Sequence, residues 1–304
     1  MAGFLASTIR AANASFPGLG FGDLRLKARF VQAAFAHRAS AVSLLDPTPG
    51  SILADAMRER PQMAGILLWP YQCAGWGPDA RIARFVAHYD AAAALGPPWR
   101  FGLHEKLILS DLADEFAGLR LVIDQPKWLM REGGLAVNLF VDDFRAYSLA
   151  FSLFRTGEGP LQAVIGGLQG RKTNESLGLY RDLTKALYGL RPRDFLIDVL
   201  RMICRAIEVD QIAAVTQAHR HHQHPFFGKK DLTPDYDTIW EERGGIKQDE
   251  MFYSLQVTQA RREIEAIKAN KRSLYRKRYA FMDRLDAQIA KDLPHLSPTT
   301  FVDL

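Results

Sequence analysis

The hydrophobic pattern of this chain changes period once, and that change limits the fold more than any other feature. Up to Gly96-Pro97-Pro98 the apolar residues recur at helical spacing; beyond it they alternate or run together in short blocks. A period near 3.6 places apolar side chains on one helix face, whereas a period of two places them on one face of a sheet. A chain carrying both in succession has to combine a helical layer with a sheet around a common core.

Residues 23–45 hold helical spacing without Gly or Pro, and residues 51–57 and 81–95 read as further helices, interrupted by Gly75, Gly77 and Pro78. The breaker at 96–98 marks a boundary between a helical region, 1–98, and a second region, 99–304. In the latter, residues 119–123, 135–141, 147–154 and 161–168 are short and rich in Val, Leu and Phe. Gly133-Gly134, Asp142-Asp143 and Gly157-Glu158-Gly159-Pro160 separate them. This predicts an antiparallel meander. Helices follow at 175–188 and from Pro192, the second with Leu196, Val199, Leu200, Ile203 and Ile207 on one face. Residues 211–216 read as a buried strand, 217–248 as a polar irregular stretch, and 251–257 as a last strand. Residues 260–293 read as a helix striped by Leu274, Phe281, Leu285 and Ile289. The expected class is α+β: an N-terminal helical region, then a mostly antiparallel sheet flanked by helices.

With 304 residues, 48% hydrophobic and 24% charged, the chain has the composition of a soluble globular protein with a real core. Its two cysteines, Cys73 and Cys204, exclude a disulfide framework, and their apolar neighbours suit buried fillers better than nucleophiles. No basic stretch followed by an apolar run marks a signal peptide, and no apolar run reaches the roughly 20 residues of a membrane helix. The cytoplasm is the expected compartment. A net charge of +5 favours an acidic partner without choosing among nucleic acid, anionic lipid and a phosphate-bearing cofactor.

Five stretches carry residues suited to chemistry. Gly166-Gly167-Leu168-Gln169-Gly170 ends a strand and is followed by Arg171 and Lys172 before a helix begins. Glycines let backbone N–H groups approach a ligand, and a helix start favours an anion; a strand-end bulge needs the same glycines for its dihedral angles alone. Neither the dinucleotide fingerprint nor the P-loop is present. Next, Arg181, Lys185 and Tyr188 share a helix face, with Arg191 and Arg193 at the following junction. That is either a cationic wall for a phosphate or carboxylate, or a solvated basic face.

The segment His219-Arg220-His221-His222-Gln223-His224 gathers four of the eight histidines. It reads as a polar loop, as the seat of one acid–base histidine, or as a metal site in which two of His219, His221, His222 and His224 join Asp235 or Asp237. The spacing matches no closed zinc signature. Asp235-Tyr236-Asp237 and Trp240-Glu241-Glu242 interleave acidic and aromatic residues before Gly244-Gly245. Asp237 suits a helix cap, or alternatively the orientation of a histidine or the binding of a substrate amine. Finally, residues 261–278 carry eight basic against two acidic residues, Arg272 and Arg276 among them. This is either a solvated face or a surface for an acidic macromolecule or cofactor phosphates.

Taken in order, Gly166-Gly167-Leu168-Gln169-Gly170, Thr184-Lys185-Ala186-Leu187-Tyr188-Gly189-Leu190-Arg191-Pro192-Arg193, Asp235-Tyr236-Asp237, Trp240-Glu241-Glu242 and Lys271-Arg272-Ser273-Leu274-Tyr275-Arg276-Lys277-Arg278-Tyr279 resemble the VirK/YbjX family of bacterial proteins. The likeness covers residues 60–285, including His88-Tyr89. It implies a domain of unknown function with, in some members, a link to the bacterial envelope and to antimicrobial-peptide resistance, and it carries over no catalytic residue. Antiparallel strands, the glycine-rich strand end, Glu175-Ser176 and a Thr-Lys helix also resemble leucyl/phenylalanyl-tRNA-protein transferases, which implies a GNAT-like fold.

Three functions are consistent with these features. The first is a GNAT-like acyl- or aminoacyl-transferase with an acidic donor: acyl-CoA, acyl carrier protein or charged tRNA. His221 or His222 would be the base, with Asp237 orienting it. Gly166, Gly167, Gln169, Gly170, Arg171, Lys185, Arg191, Trp240, Glu241, Arg272 and Arg276 would bind donor or substrate. The second is an Fe(II)-dependent oxygenase acting on a peptide or amino acid through the His/Asp cluster. The third is a non-enzymatic envelope-stress protein whose basic helix makes a peripheral contact with anionic lipid or nucleic acid.

Overall fold

The computed structural model describes residues 2–171, 173–228 and 235–300. Helices α1 (Ala2–Ser15), α2 (Phe21–Ala36), α3 (Arg38–Leu45), α4 (Ile52–Glu59) and α5 (Pro78–Leu95) form the N-terminal region. The helix expected at 23–45 is two helices. The chain breaks at His37, whose φ of −110° and ψ of 36° lie outside the helical region. The Ser51 hydroxyl caps α4 by accepting from the Ala54 N–H at 3.1 Å, and Pro78 opens α5, where a missing N–H costs nothing.

The sheet has nine strands: β1 (Glu105–Asp111), β2 (Leu119–Asp124), β3 (Leu135–Val141), β4 (Phe144–Phe154), β5 (Leu161–Gly170), β6 (Val209–Val215), β7 (Ile246–Lys247), β8 (Phe252–Leu255) and β9 (Thr299–Thr300). Their order is β7-β8-β6-β5-β4-β3-β2-β1-β9. Every neighbouring pair is antiparallel except β5 and β6. Parallel neighbours need a long crossover, here α6 (Asn174–Ala186) and α7 (Pro192–Ala206). The fold is therefore α+β, as the change of period predicts. Further elements differ from the sequence expectation. Strand β1 precedes the expected meander. The polar stretch after β6 contains helix α8 (Tyr236–Glu242). The last helix, α9 (Arg272–Asp292), starts late because residues 264–266 and 269–271 make 3-10 turns, and the carbonyls of Glu265 and of Ile267 between the turns accept from the Arg272 guanidinium.

Phe195, Leu196, Val199, Leu200 and Ile203 of α7 are buried in the sheet core, and Phe281, Leu285 and Ile289 of α9 pack on that helix, with Phe195 and Phe281 stacked 5.8 Å apart. Each such side chain contributes about 1.5–3 kcal/mol by leaving water. A second core lies within the N-terminal helices around Phe30, Leu44, Ile66, Tyr71, Ile82 and Phe85. Helix α5 joins the two: Phe85 and Tyr89 belong to the helical core, Ala91 and Ala92 to the sheet core. Where β4 runs beyond the end of β3, His88 Nδ1 accepts the Leu153 N–H at 3.2 Å, and burial lowers this imidazole to about 4, keeping it neutral.

Candidate functional site

Strand β5 pairs with β4 as far as Gly170, but with β6 only as far as Ile165 opposite Ala214. A bulge falls at Gly166, where the β4 register passes from Ala150–Gly167 to Phe151–Ile165. Beyond it the two parallel strands part, and side chains fill the wedge. The Tyr236 hydroxyl accepts from the Leu168 N–H at 2.6 Å and donates to the Leu168 carbonyl at 3.1 Å. Gln72 Nε2 donates to the Val164 carbonyl at 3.1 Å. These side chains satisfy backbone groups that would otherwise be buried unpaired.

Glu132 lies against this opening. A methyl group on Gly166 would overlap the Glu132 carbonyl, and one on Gly167 its carboxylate. The glycines thus admit a close approach, but of the chain's own glutamate. That residue is 2% exposed, and its Oε1 accepts from Gln169 Nε2. Its Oε2 has no hydrogen-bond partner among the described residues. Burial raises the carboxyl to about 8, against the opposing pull of the Gln169 hydrogen bond and the Arg220 charge.

The chain leaving β6 supplies the histidines. Thr216 fixes the exit by donating from Oγ1 to the Glu250 carbonyl at 2.8 Å, and 3-10 turns at Gln217–His219 and His221–Gln223 follow. His221 Nδ1 lies 3.7 Å and His222 Nδ1 4.0 Å from Glu132 Oε1, and the two imidazole centroids are 3.7 Å apart. His221 is buried, and burial with the nearby His222, Arg131 and Arg220 holds it well below 6.5. The His222 side chain, 30% exposed, is the cluster's face to solvent. Around the group, Arg131 stacks on Trp69 and Phe227, and Arg220 lies 3.8 Å over the Tyr236 ring. The environment inverts the ordinary order of the two acids: the carboxyl keeps its proton where the imidazole of His221 is neutral. One ligand atom from each of Glu132, His221 and His222 falls within 4.8 Å of the other two.

The sequence-derived residues divide clearly. His221 and His222 meet each other and Glu132. The Gly166 turn and Gln169 share the site. The Asp237 carboxylate does not face a histidine; it accepts from the Gln217 N–H at 2.7 Å. Asp235 caps α8, accepting from Thr238 Oγ1 at 2.8 Å. His219 Nδ1 pairs with Thr216 Oγ1 at 3.1 Å, and His224 Nδ1 accepts from the Phe226 N–H at 3.1 Å. Neither joins the cluster of Glu132, His221 and His222. Trp240 is fully buried, with Nε1 donating to the Val215 carbonyl, and Glu241 accepts from the Tyr253 hydroxyl. Lys185 pairs with Asp182 and Arg191 with Glu242. Arg272 spends its donors on the turns before α9, while Arg171 and Arg276 are exposed. Lys172 lies outside the described residues.

Sequence reading missed Glu132 and Gln72. Both sit beside turn signals, and no spacing rule connects either to a histidine about ninety residues or more away. The only trace was the run of small residues at 166–167, which records that something approaches closely there without naming it.

Fold and cluster together define an α+β protein with a buried carboxyl–imidazole site at the diverging ends of a parallel strand pair. The chain belongs to the family described as "Protein of unknown function (DUF535)", whose model matches residues 21–291. It is similar to the "Uncharacterized protein YbjX" of Escherichia coli K12, 33% identical over 135 residues, 44% of this chain and 41% of the relative. It is also similar to an "Uncharacterized protein" of Haemophilus influenzae, 31% identical over 147 residues, 48% of this chain and 47% of the relative. The chain spans about half the length of the curated relatives it matches. These matches bear out the resemblance to the VirK/YbjX family. No solved structure matches, so the GNAT likeness has no structural neighbour behind it. Among the described residues no helix is long and apolar enough to cross a membrane.

Proposed function

We propose that this chain is a GNAT-like acyl- or aminoacyl-transferase whose reaction centre is the opening between β5 and β6. The observation that carries this reading is the parting of the two strands beyond Ile165 over Glu132, His221 and His222. Open sheets bind ligands outside the carboxyl ends of their parallel strands, and perturbed titratable groups gather at sites of chemistry. Acyl transfer needs a base for the acceptor and donors for the tetrahedral oxyanion. An imidazole, His222 on the solvent side or His221 behind it, takes the proton as the acceptor nitrogen or oxygen bonds to the acyl carbon. That proton passes to the donor's sulfur or oxygen as its bond to the acyl group breaks. Glu132 holds the imidazoles in place, the role sequence reading gave to Asp237. Residues 166–170 supply the backbone near the carbonyl, and exposed Arg171 and Arg276 attract an acidic donor: acyl-CoA, acyl carrier protein or charged tRNA.

The test is turnover of an acyl-CoA panel, acyl carrier protein and charged tRNA, read as release of the free carrier. Loss of turnover in His222→Ala with folding kept supports the assignment. Full activity in both His221→Ala and His222→Ala, or no turnover of any of these donors by the native chain, removes it.

One observation favours a second reading. Two histidines and a carboxylate with an unpartnered oxygen form the donor set used by non-heme iron. Glu132, His221 and His222 would hold Fe(II), which supplies oxygen chemistry toward a peptide or amino acid. Elemental analysis of untagged protein decides it: iron retained by the native chain and lost in Glu132→Gln supports a metal centre. Less than about 0.1 metal per chain after iron supplementation argues against one.

A further inference from the structure

The outer faces of α1 and α2 combine exposed apolar side chains with positive charge. Of the twelve exposed large hydrophobic side chains among the described residues, seven lie in α1–α3 or the turns between them. Residues 1–45 also hold Arg10, Arg25, Lys27, Arg29 and Arg38 against Asp23 alone, +4 of the chain's net +5. Leu19 and Phe21, at the corner where α2 begins, are 83% and 85% exposed, so their apolar surface has no cover within the described residues.

The spacing sorts these residues onto one face. Phe21, Leu24, Arg25, Arg29 and Phe35 are all exposed and follow helical spacing, while Phe30 and Ala34 on the opposite side are buried. On α1, Leu5 and Ile9 are exposed one turn apart, with Arg10 beside them. Asp23, the one acidic residue, is off this face and only half-buried, its carboxylate packed against Gly18. The outer face therefore holds apolar tips interleaved with arginines and no acid.

We infer that the outer face of α1 and α2, led by Leu19, Phe21 and Leu24 and flanked by Arg25 and Arg29, docks on an anionic lipid bilayer as a peripheral contact. A membrane interface suits both halves of this surface. Aromatic and aliphatic tips enter the headgroup–acyl boundary, and the arginines reach back to lipid phosphates. Charge complementarity selects this occupant. A second copy of the chain would present the same acid-free face, with Arg10, Arg25 and Arg29, to itself and repel it, whereas an anionic leaflet attracts juxtaposed Arg and Lys. The surface is distinct from α9, where sequence reading placed the basic contact: there Arg272 and Arg278 donate to backbone carbonyls and Arg261 is paired with Asp283.

The experiment is co-flotation of the full chain with phosphatidylglycerol–phosphatidylcholine vesicles and with phosphatidylcholine vesicles alone. The native chain is expected to float with the anionic vesicles and to stay in solution with the neutral ones. Phe21→Ser with Leu24→Ser lowers vesicle partition about tenfold or more. Arg25→Glu with Arg29→Glu lowers it at least as far. All four positions are exposed, so circular dichroism and Tm should match the native chain. Four outcomes overturn the inference: no flotation of the native chain, variants that float like it, loss of binding only on charge reversal at Arg276 and Lys277, and a native dimer that Phe21→Ser with Leu24→Ser converts to monomer without affecting flotation.

Discussion

At the scale of single residues, Glu132 decides most. A carboxyl with no water around it favours its neutral form, and the Gln169 hydrogen bond and the Arg220 charge only partly offset that preference. The folded chain thus holds a proton that the unfolded chain releases between 4.5 and about 8, so this residue's contribution to stability falls as pH rises through that window. His221 acts in the opposite sense. The unfolded chain takes up a proton below 6.5 that the folded chain refuses, so stability falls as pH drops below that value. Between 6.5 and about 8, of these two groups only Glu132 sets a slope. Glu132→Gln keeps the hydrogen-bonding shape without the charge. Its Tm is expected to decline less than the native Tm over that interval, by about 3 °C or more at the upper end. Parallel Tm–pH curves for the two proteins would contradict this account. The same residue explains the glycines: Gly167→Ala forces its new methyl into the Glu132 carboxylate, and is expected to lower stability by about 1–3 kcal/mol in urea titration. Unchanged stability would mean the site has room that the packing denies.

At the scale of elements, the connection from β8 to α9 is held by two arginines of α7: Arg205 donates to the Val257 carbonyl at 2.8 Å, and Arg201 makes more of the bonds. Arg201 donates to the Gln256 carbonyl, Gln259 Oε1, the Arg243 carbonyl and Asp198, and its side chain is almost fully buried. These bonds anchor irregular chain that buries little apolar surface of its own, and they set where α9 meets α7. Arg201→Ala is expected to cost about 3 kcal/mol, the low end for a broken buried pair because Asp198 keeps Arg243 as a partner. Arg201→Lys recovers only part of this, since an ammonium lacks the planar fork. A loss under about 1 kcal/mol in chemical denaturation would show that the segment is held by something else. Nothing in the local sequence announced the role. A basic residue in an amphipathic helix ordinarily faces solvent, and every partner but Asp198 lies more than forty residues away.

At the scale of the whole molecule, the two cores are joined rather than juxtaposed. Helix α5 serves both, and Ile52 and Trp76 pack against each. The chain between α4 and α5 also reaches the site: the Gln72 N–H donates to the Arg131 carbonyl at 2.7 Å, and the Ala74 N–H to the His219 carbonyl at 2.8 Å. The boundary drawn at the 96–98 breaker therefore separates two kinds of periodicity, while residues on both sides line the opening beside the cluster. Shared packing of this kind makes unfolding cooperative. Urea denaturation followed by tryptophan fluorescence and by far-ultraviolet circular dichroism is expected to give coincident single transitions. Separated midpoints would show that the helical layer melts by itself.

The sequence by itself determined the class of fold and the antiparallel pairing of the central meander. Those depend on periodicity and turn chemistry, which are local. It also located three of the pieces that meet at the site, the glycine turn, the histidine pair and Gln169, because glycine-rich strand ends and clustered imidazoles are conspicuous in a single chain. Only the tertiary structure decided which carboxylate the histidines face. Asp237 was closer in sequence, but a backbone N–H takes its carboxylate, whereas Glu132 reaches the imidazoles across the sheet. Burial is set by what packs from distant segments, so the glutamate's raised pKa and the lowered pKa of His221 follow from tertiary contacts that no spacing encodes.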